Sequence, residues 1–199
     1  DWYVQSEIRN DRTDKQTWSS YTFEEWLTWI LRQDPDVLLI WEIRRPEEAK
    51  ICLESANTGH IVYWSIHSNN SISVISRLKQ LGMEPFLLAT GIKYIISQKL
   101  IRKLCPVCKE KHEISKSNCP ANFHDFIKED TISVYRANIS WCDKCINWYK
   151  WSSLISEIIE NNEEFYKMII SSKSDIEVKR ELIAKWFIPF YIHWLQKSM

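Results

Sequence analysis

The stretch Leu31–Asn69, LRQDPDVLLIWEIRRPEEAKICLESANTGHIVYWSIHSN, constrains the fold more than any other part of this 199-residue chain. Val37–Ile40 is a short continuous apolar run, the pattern of a strand buried on both faces of a sheet. Pro46–Asn57 opens on Glu47 and Glu48 and continues with small and apolar residues, which predicts a helix with acids at its positive end. Ile61–Ile66 is a second apolar run, with His60 before it and His67 just after. Strand, helix and strand in that order predict an α/β fold. Parallel sheets bind ligands beyond the carboxyl ends of their strands, and Glu42 and His67 both fall there, at one edge of one sheet.

The rest of the chain is read from the same patterns. Thr22–Leu31 is predicted as a helix, with Ser20 or Thr22 as N-cap, and Asp34-Pro35-Asp36 ends it. Ser71–Leu81 reads as a helix closed by Gly82, and Pro85–Ile96 as a second apolar helix, followed by the basic QKLIRK of Gln98–Lys103. Ile155, Ile158, Ile159, Phe165 and Ile169 approximate a 3.6-residue period, which predicts a helix over Ser152–Ile170. Asp175–Ala184 is another helix. Phe187–Leu195 is apolar but too short to span a bilayer, so it is expected to pack on the core. A chain of this length can bury one sizeable core, or a core and a small appendage. Its formal charge of zero argues against a strong electrostatic pull toward nucleic acid or anionic lipid. There is no apolar run of membrane-span length and no signal peptide pattern.

Two C-x-x-C knuckles, Cys105-Pro-Val-Cys108 and Cys142-Asp-Lys-Cys145, are the strongest spacing signal outside the central stretch. Together they can offer four thiolates to one tetrahedral Zn2+ and close the loop between them. In a cytosolic setting disulfides are disfavoured, which favours metal over cystine. A closed four-cysteine set leaves no open position, so the expected zinc is structural. His112, Cys119 and His124 lie in the intervening insert and are expected not to ligate. Cys52, inside a helix, reads as a small core residue.

LRQDPDVLLIWEIR, TGHIVYWSIHSN and RLKQLGMEPFLL with QKLIRKLCPVC resemble the secretion ATPases of type II secretion and type IV pilus assembly, the GspE/PilB family. There the first block is Walker B and the second is the histidine box. The resemblance runs over nearly the whole chain and is closest from Phe23 to Cys108. It implies a RecA-like P-loop ATPase core over residues 1–104, a zinc-binding insert over 105–150, and a C-terminal helical part of the motor domain over 151–199. It implies Glu42 as the catalytic carboxylate, holding the shell of Mg2+ or orienting the attacking water, because phosphoryl transfer is mostly positioning. His67 joins it as a catalytic candidate. Arg32, Arg44, His60 and Arg102 are candidates for contact with the phosphates of ATP. Thr28, Arg45 and Lys99 depart from the family, which usually has arginine, aspartate and arginine at those places.

No G-x-x-x-x-G-K-[ST] occurs in the sequence. Asp1–Asn10 resembles the family segment after its first acidic box, so these residues read as a piece downstream of the phosphate-binding loop, unable to hydrolyse ATP alone. The resemblance further implies a cytoplasmic homohexamer docked on an inner-membrane platform protein, with no nucleic-acid partner and no transmembrane segment. Its ATP turnover would drive pilin or pseudopilin assembly.

The composition carries one oddity, 11 Trp against 3 Gly. Ordinary usage is about 7% Gly, or roughly 14 residues in a chain this long. Tryptophan stands where the family pattern has glycine at Trp41, Trp141, Trp148 and Trp151, and Trp18 fits similarly. Trp26, Trp29, Trp64, Trp186 and Trp194 are further plausible glycine sites. The expectation is that the source reads UGA as glycine at these positions. Two other readings compete with an active motor: a scaffold that keeps fold and zinc without turnover, favoured by Thr28, Arg45 and a genuine Trp41, and a zinc-ribbon nucleic-acid binder, which neutral charge disfavours.

Overall fold

Strand, helix and strand follow one another where the central stretch places them. The computed structural model describes residues 23–33, 35–140, 142–171 and 173–198. The readings placed on Asp1–Asn10, Trp18, the caps Ser20 and Thr22, Asp34 and Trp141 lie outside the described residues. The chain divides into two units, one of Asp1–Ile95 with Glu160–Val178, the other of Ile96–Ile159 with Lys179–Met199.

In the first unit, α1 (Phe23–Leu31) buries Leu27 and leads to β1 (Val37–Ile40), α2 (Pro46–Asn57) and β2 (Ile61–Trp64). β1 and β2 pair in parallel, Val37 opposite Ile61 and Ile40 opposite Trp64. Burial on both faces of β1, expected from its continuous apolar run, holds on one face only. Leu38 and Ile40 are buried, whereas Val37 and Leu39 are 53% and 69% exposed. Alternate residues of a strand face opposite ways, and with α2 packed against β2, Val37, Leu39, Ile61 and Tyr63 form an exposed apolar row.

α3 (Ser73–Gln80) is followed by Gly82, whose φ of 82° carries the chain out of the helix while its N–H bonds the Lys79 carbonyl at 2.9 Å. That left-handed conformation costs glycine nothing in steric clash. α4 (Pro85–Gly91) is shorter than the predicted Pro85–Ile96 helix. It ends where a Cβ on Gly91 would lie 3.0 Å from Asn57 Nδ2 and 3.1 Å from Leu53 Cδ2, so small size at position 91 lets α4 approach α2.

Tyr94–Leu104 forms strand β3, and the helix predicted over Ser152–Ile170 is instead strand β6 (Tyr149–Glu160) followed by α5 (Glu163–Ile170). Ile155, Glu157 and Ile159 are buried, while Leu154 and Ile158 are exposed. A period of two therefore governs the run, and isoleucines at 155, 158 and 159 imitate a helical period by chance. Asn161 and Asn162 separate the two elements. The Asn161 amide donates to the Ala89 and Ile92 carbonyls at 2.7 Å each, and the Asn162 side chain caps α5 by accepting the Phe165 N–H at 3.0 Å. Replacing such a cap by alanine costs about 1 kcal/mol. Asn162→Ala should lower the urea midpoint accordingly, and an unchanged midpoint would mean that α5 does not depend on its cap.

In the second unit, β3 pairs with β6, and β4 (Glu110–Ser115) pairs antiparallel with β5 (Thr131–Arg136). Ile127, Ile132 and Leu195 form a small core, with Ile114, Cys119, Phe123 and Val134 packed against it. α6 (Asp175–Lys185) and α7 (Phe190–Ser198) complete the chain. Phe187, Ile192 and Leu195 are buried, so the Phe187–Leu195 segment packs on the core as expected. The buried Glu157 carboxylate accepts the Phe190 N–H at 2.9 Å. Among the described residues, no helix is long and apolar enough to cross a membrane.

Candidate nucleotide site and metal centre

The β1–β2 ladder continues beyond both strands, with the Ser65 N–H on the Ile40 carbonyl at 3.3 Å and the Ile43 N–H on the Ser65 carbonyl at 2.8 Å. That register sets Glu42 beside His67 at the carboxyl edge of the sheet. Glu42 has φ 57°, held by a 2.9 Å bond from its N–H to the Ser65 hydroxyl. A left-handed conformation costs an ordinary residue roughly 1–2 kcal/mol, and such outliers concentrate at functional sites. Both oxygens of the Glu42 carboxylate accept from Arg44, Oε1 from Nε at 2.5 Å and Oε2 from Nη2. His67 Nε2 lies 3.1 Å from Glu42 Oε1. The hydrogen bonding of Arg44 to Glu42, and then the charge of Glu42, raise the Arg44 pKa above its ordinary value. The Glu42 side chain is 19% exposed and that of His67 90%, so a sheltered carboxylate sits behind an imidazole open to solvent.

Helix α2 starts four residues after Glu42, with Pro46 at its first turn, where the missing N–H leaves no bond unmade. Helix N-termini attract anions. Here the buried Glu48 carboxylate already accepts the Arg44 and Arg45 N–H groups, at 2.8 Å and 3.0 Å. Glu48 thereby fixes the backbone of Arg44. Glu48 and Ser65 were not singled out from the sequence as site residues; a glutamate three residues after the N-cap, here Arg45, is the signal for the first.

The other phosphate candidates are placed differently. His60 precedes β2, at the opposite end of that strand from His67, and its Nδ1 lies 3.2 Å from the Ser55 carbonyl and 3.3 Å from Thr58 Oγ1. Arg32 is exposed just after α1, on the amino-terminal side of β1. The structure brings Glu42, Arg44 and His67 together and gathers neither His60 nor Arg32 with them. Arg102 belongs to the second unit, where its guanidinium lies over the Tyr149 ring at 4.1 Å.

The metal centre is set by the β3–β6 pair. β3 ends at Leu104 and delivers Cys105, whose N–H bonds the Trp148 carbonyl at 2.8 Å, while an isolated bridge from Ile146 to Tyr149 folds the second knuckle onto the start of β6. The sulfurs of Cys105, Cys108, Cys142 and Cys145 all lie within 4.8 Å of one another. Cys105 and Cys142 Sγ are 3.8 Å apart, Cys108 and Cys145 3.7 Å, Cys142 and Cys145 3.6 Å. A tetrahedral zinc with Zn–S of about 2.3 Å requires about 3.8 Å between sulfurs. A disulfide needs about 2.05 Å, and all six cysteines are free thiols. The four-sulfur cage fits zinc.

Burial opposes ionisation of Cys105, but the backbone N–H groups of Val107 and Cys108 and the neighbouring thiols outweigh it and bring its pKa down to about 7. Burial, with the neighbouring thiols, pushes Cys108 up to about 12. Without a cation the cluster thus resists carrying a full set of thiolates, and a divalent ion relieves that repulsion. Among the described residues the cage holds these four side chains alone. Cys119 Sγ instead faces the Ser115 carbonyl, His124 Nε2 lies 2.9 Å from the Cys119 carbonyl, and His112 sits opposite Val134 in the hairpin. Cys52 is buried and its thiol is pushed up to about 12, chiefly by desolvation.

Comparison with known proteins gives one consistent result. The family model for "Type II/IV secretion system protein" matches residues 4–190. The type IV pilus assembly ATPase PilB of Pseudomonas aeruginosa is 34% identical over 178 residues, 89% of this chain and 31% of that protein. The type II secretion system ATPase E of Vibrio cholerae is 34% identical over 164 residues, 82% of this chain and 32% of that protein. The chain therefore spans about a third of the length of these curated relatives. Among solved structures, the Legionella pneumophila ATPase DotB matches with TM-score 0.53 at 17% identity, over 88% of this chain and 38% of that one. The pilus retraction motor PilT with bound ADP matches with TM-score 0.50 at 21% identity, over 81% of this chain and 36% of that one. These likenesses establish an α/β fold of the RecA-like secretion ATPase kind.

Proposed function

The chain belongs to the type II/IV secretion system protein family, and from that premise we propose that it supplies the Walker B and histidine-box half of an ATP-hydrolysing secretion or pilus-assembly motor. The observation that carries the proposal is the Glu42–Arg44–His67 cluster at the carboxyl edge of the β1–β2 pair. Glu42 is the group that orients the attacking water, its carboxylate accepting the water's hydrogen. Arg44 holds that carboxylate at rest through two hydrogen bonds and can turn the same two donors to phosphate oxygens, a geometry guanidinium suits. His67, open to solvent, is free to approach the γ-phosphate. Mg2+, when bound with ATP, would supply neutralisation of phosphate charge. His60, Arg32 and Arg102 remain phosphate candidates only through approach of a nucleotide from another part of the assembly.

The four-cysteine insert at 105–150 holds a structural zinc in this reading. The working assembly is a homohexamer at the cytoplasmic face of the inner membrane, docked on the platform protein of a secretion or pilus machine, driving pilin or pseudopilin assembly. Because the phosphate-binding loop motif is absent from these 199 residues, the test uses the complete protein its gene encodes. The expected result is ATP hydrolysis that depends on Glu42. A complete protein that binds ATP and never turns it over would support the scaffold reading instead, which a genuine tryptophan at position 41 would favour.

A further inference from the structure

Positive φ is uncommon outside glycine, and for a bulky side chain it is a true outlier. Four described non-glycine residues adopt it: Glu42, Asn147, Trp148 and Trp151. Asparagine tolerates this conformation, and Glu42 is at the site described above. The two tryptophans have φ of 68° and 72°, within one short segment, NWYKW, that runs from just after the second zinc knuckle into the start of β6. Two of the three glycines that the chain does contain, Gly59 and Gly82, occupy this same region at 106° and 82°.

The side chains add a second, independent observation. Trp148 Nε1 is buried without a hydrogen-bond partner, as is Trp186 Nε1. An indole N–H is a donor that buried tryptophans usually satisfy, and leaving it unpaired costs stability. Trp151 and Trp41 fail in the opposite way, 72% and 75% exposed. Two of these indoles leave a buried donor unpaired and two leave the ring to solvent, and the count of 11 Trp against 3 Gly shows the same excess across the chain.

We propose that positions 148 and 151, and with them 41, are glycine in the protein its source cells make, the codon at each being UGA decoded as glycine. Glycine at 148 and 151 lets the turn adopt its backbone without steric cost and removes the orphaned indole from beside the zinc cage. The inference rests on backbone geometry and composition, so it stands or falls separately from ATP turnover.

Mass spectrometry of tryptic peptides from the source cells tests it directly. The informative peptides are Gln33–Arg44 (QDPDVLLIWEIR), Cys145–Lys150 (CINWYK) and the one that begins at Trp151. Masses corresponding to glycine at positions 41, 148 and 151 are expected, and tryptophan at any of them overturns the proposal for that position. A second readout uses the zinc-loaded recombinant chain as written. Relieving two left-handed bulky residues in W148G/W151G should raise the folding equilibrium constant by at least about tenfold, and a fall would count against glycine at this turn.

Discussion

Cys145→Ser should strip the chain of zinc and unfold the insert between the two knuckles. The four sulfurs stand at the separations a tetrahedral ion demands, and a serine oxygen is a poor replacement for a thiolate toward zinc. The β4–β5 hairpin between the knuckles has little else to hold it: its core is Ile127, Ile132 and Leu195 with a few half-buried neighbours. Structural zinc contributes on the order of 10 kcal/mol in small metal-dependent domains, comparable to the whole stability of an ordinary domain. Metal analysis of the purified protein should fall from one zinc per chain to none, with loss of cooperative thermal unfolding. Cys119→Ser is the control, since Cys119 lies outside the cage, and it should keep the zinc. If Cys145→Ser retained both metal and melting behaviour, the cage would not be a metal site.

Acid should act on the same centre in a direction fixed by the thiols. Zinc binds thiolates, so protons compete with it and affinity falls as pH falls. The Cys105 pKa near 7 and the Cys108 pKa near 12 belong to the metal-free cage. Metal loading should therefore fall on acidification, together with the stability it confers.

Much of the first unit was legible because its signals are local. Pro46 opens α2 and Asn57-Thr58-Gly59 closes it, so its limits match the reading to the residue. Glu42 and His67 could be paired in advance because each ends one strand of a parallel pair, and register does the rest. The same logic, applied fully, would have separated His60 from them, since it begins the strand that His67 follows. The misread β6 shows where local signals fail. Three isoleucines at 155, 158 and 159 fit two periods, and only partners distant in sequence, such as Phe190 on the buried Glu157, decide between them. The Glu42–Arg44 fork was illegible for a different reason. It depends on the positive φ of Glu42 and on Glu48 gripping the Arg44 backbone, and neither conformation is written in residue type.

Glu42→Gln in the complete protein should reduce kcat by at least about a hundredfold, the lower range for removing a general base or water-orienting group, while ATP affinity stays near wild type. Glutamine keeps the shape of the side chain and one acceptor, so packing beside Ser65 survives. It loses the charge that draws a proton from water and the second acceptor of the Arg44 fork. Losing that fork frees Arg44 for phosphate, which works in favour of binding and against any explanation of slow turnover by weak ATP affinity. The ratio of the two effects is what discriminates. A fall in kcat with KM unchanged identifies a contact made only in the transition state. A rise in KM with kcat intact would instead make Glu42 a ground-state contact and move the catalytic role elsewhere in the protein. Arg44→Lys sharpens the distinction, because lysine keeps the charge but cannot bridge two oxygens with a planar fork. If Arg44 does turn to the phosphates, Arg44→Lys lowers kcat as well; if it serves only to hold Glu42 at rest, turnover is kept or increased.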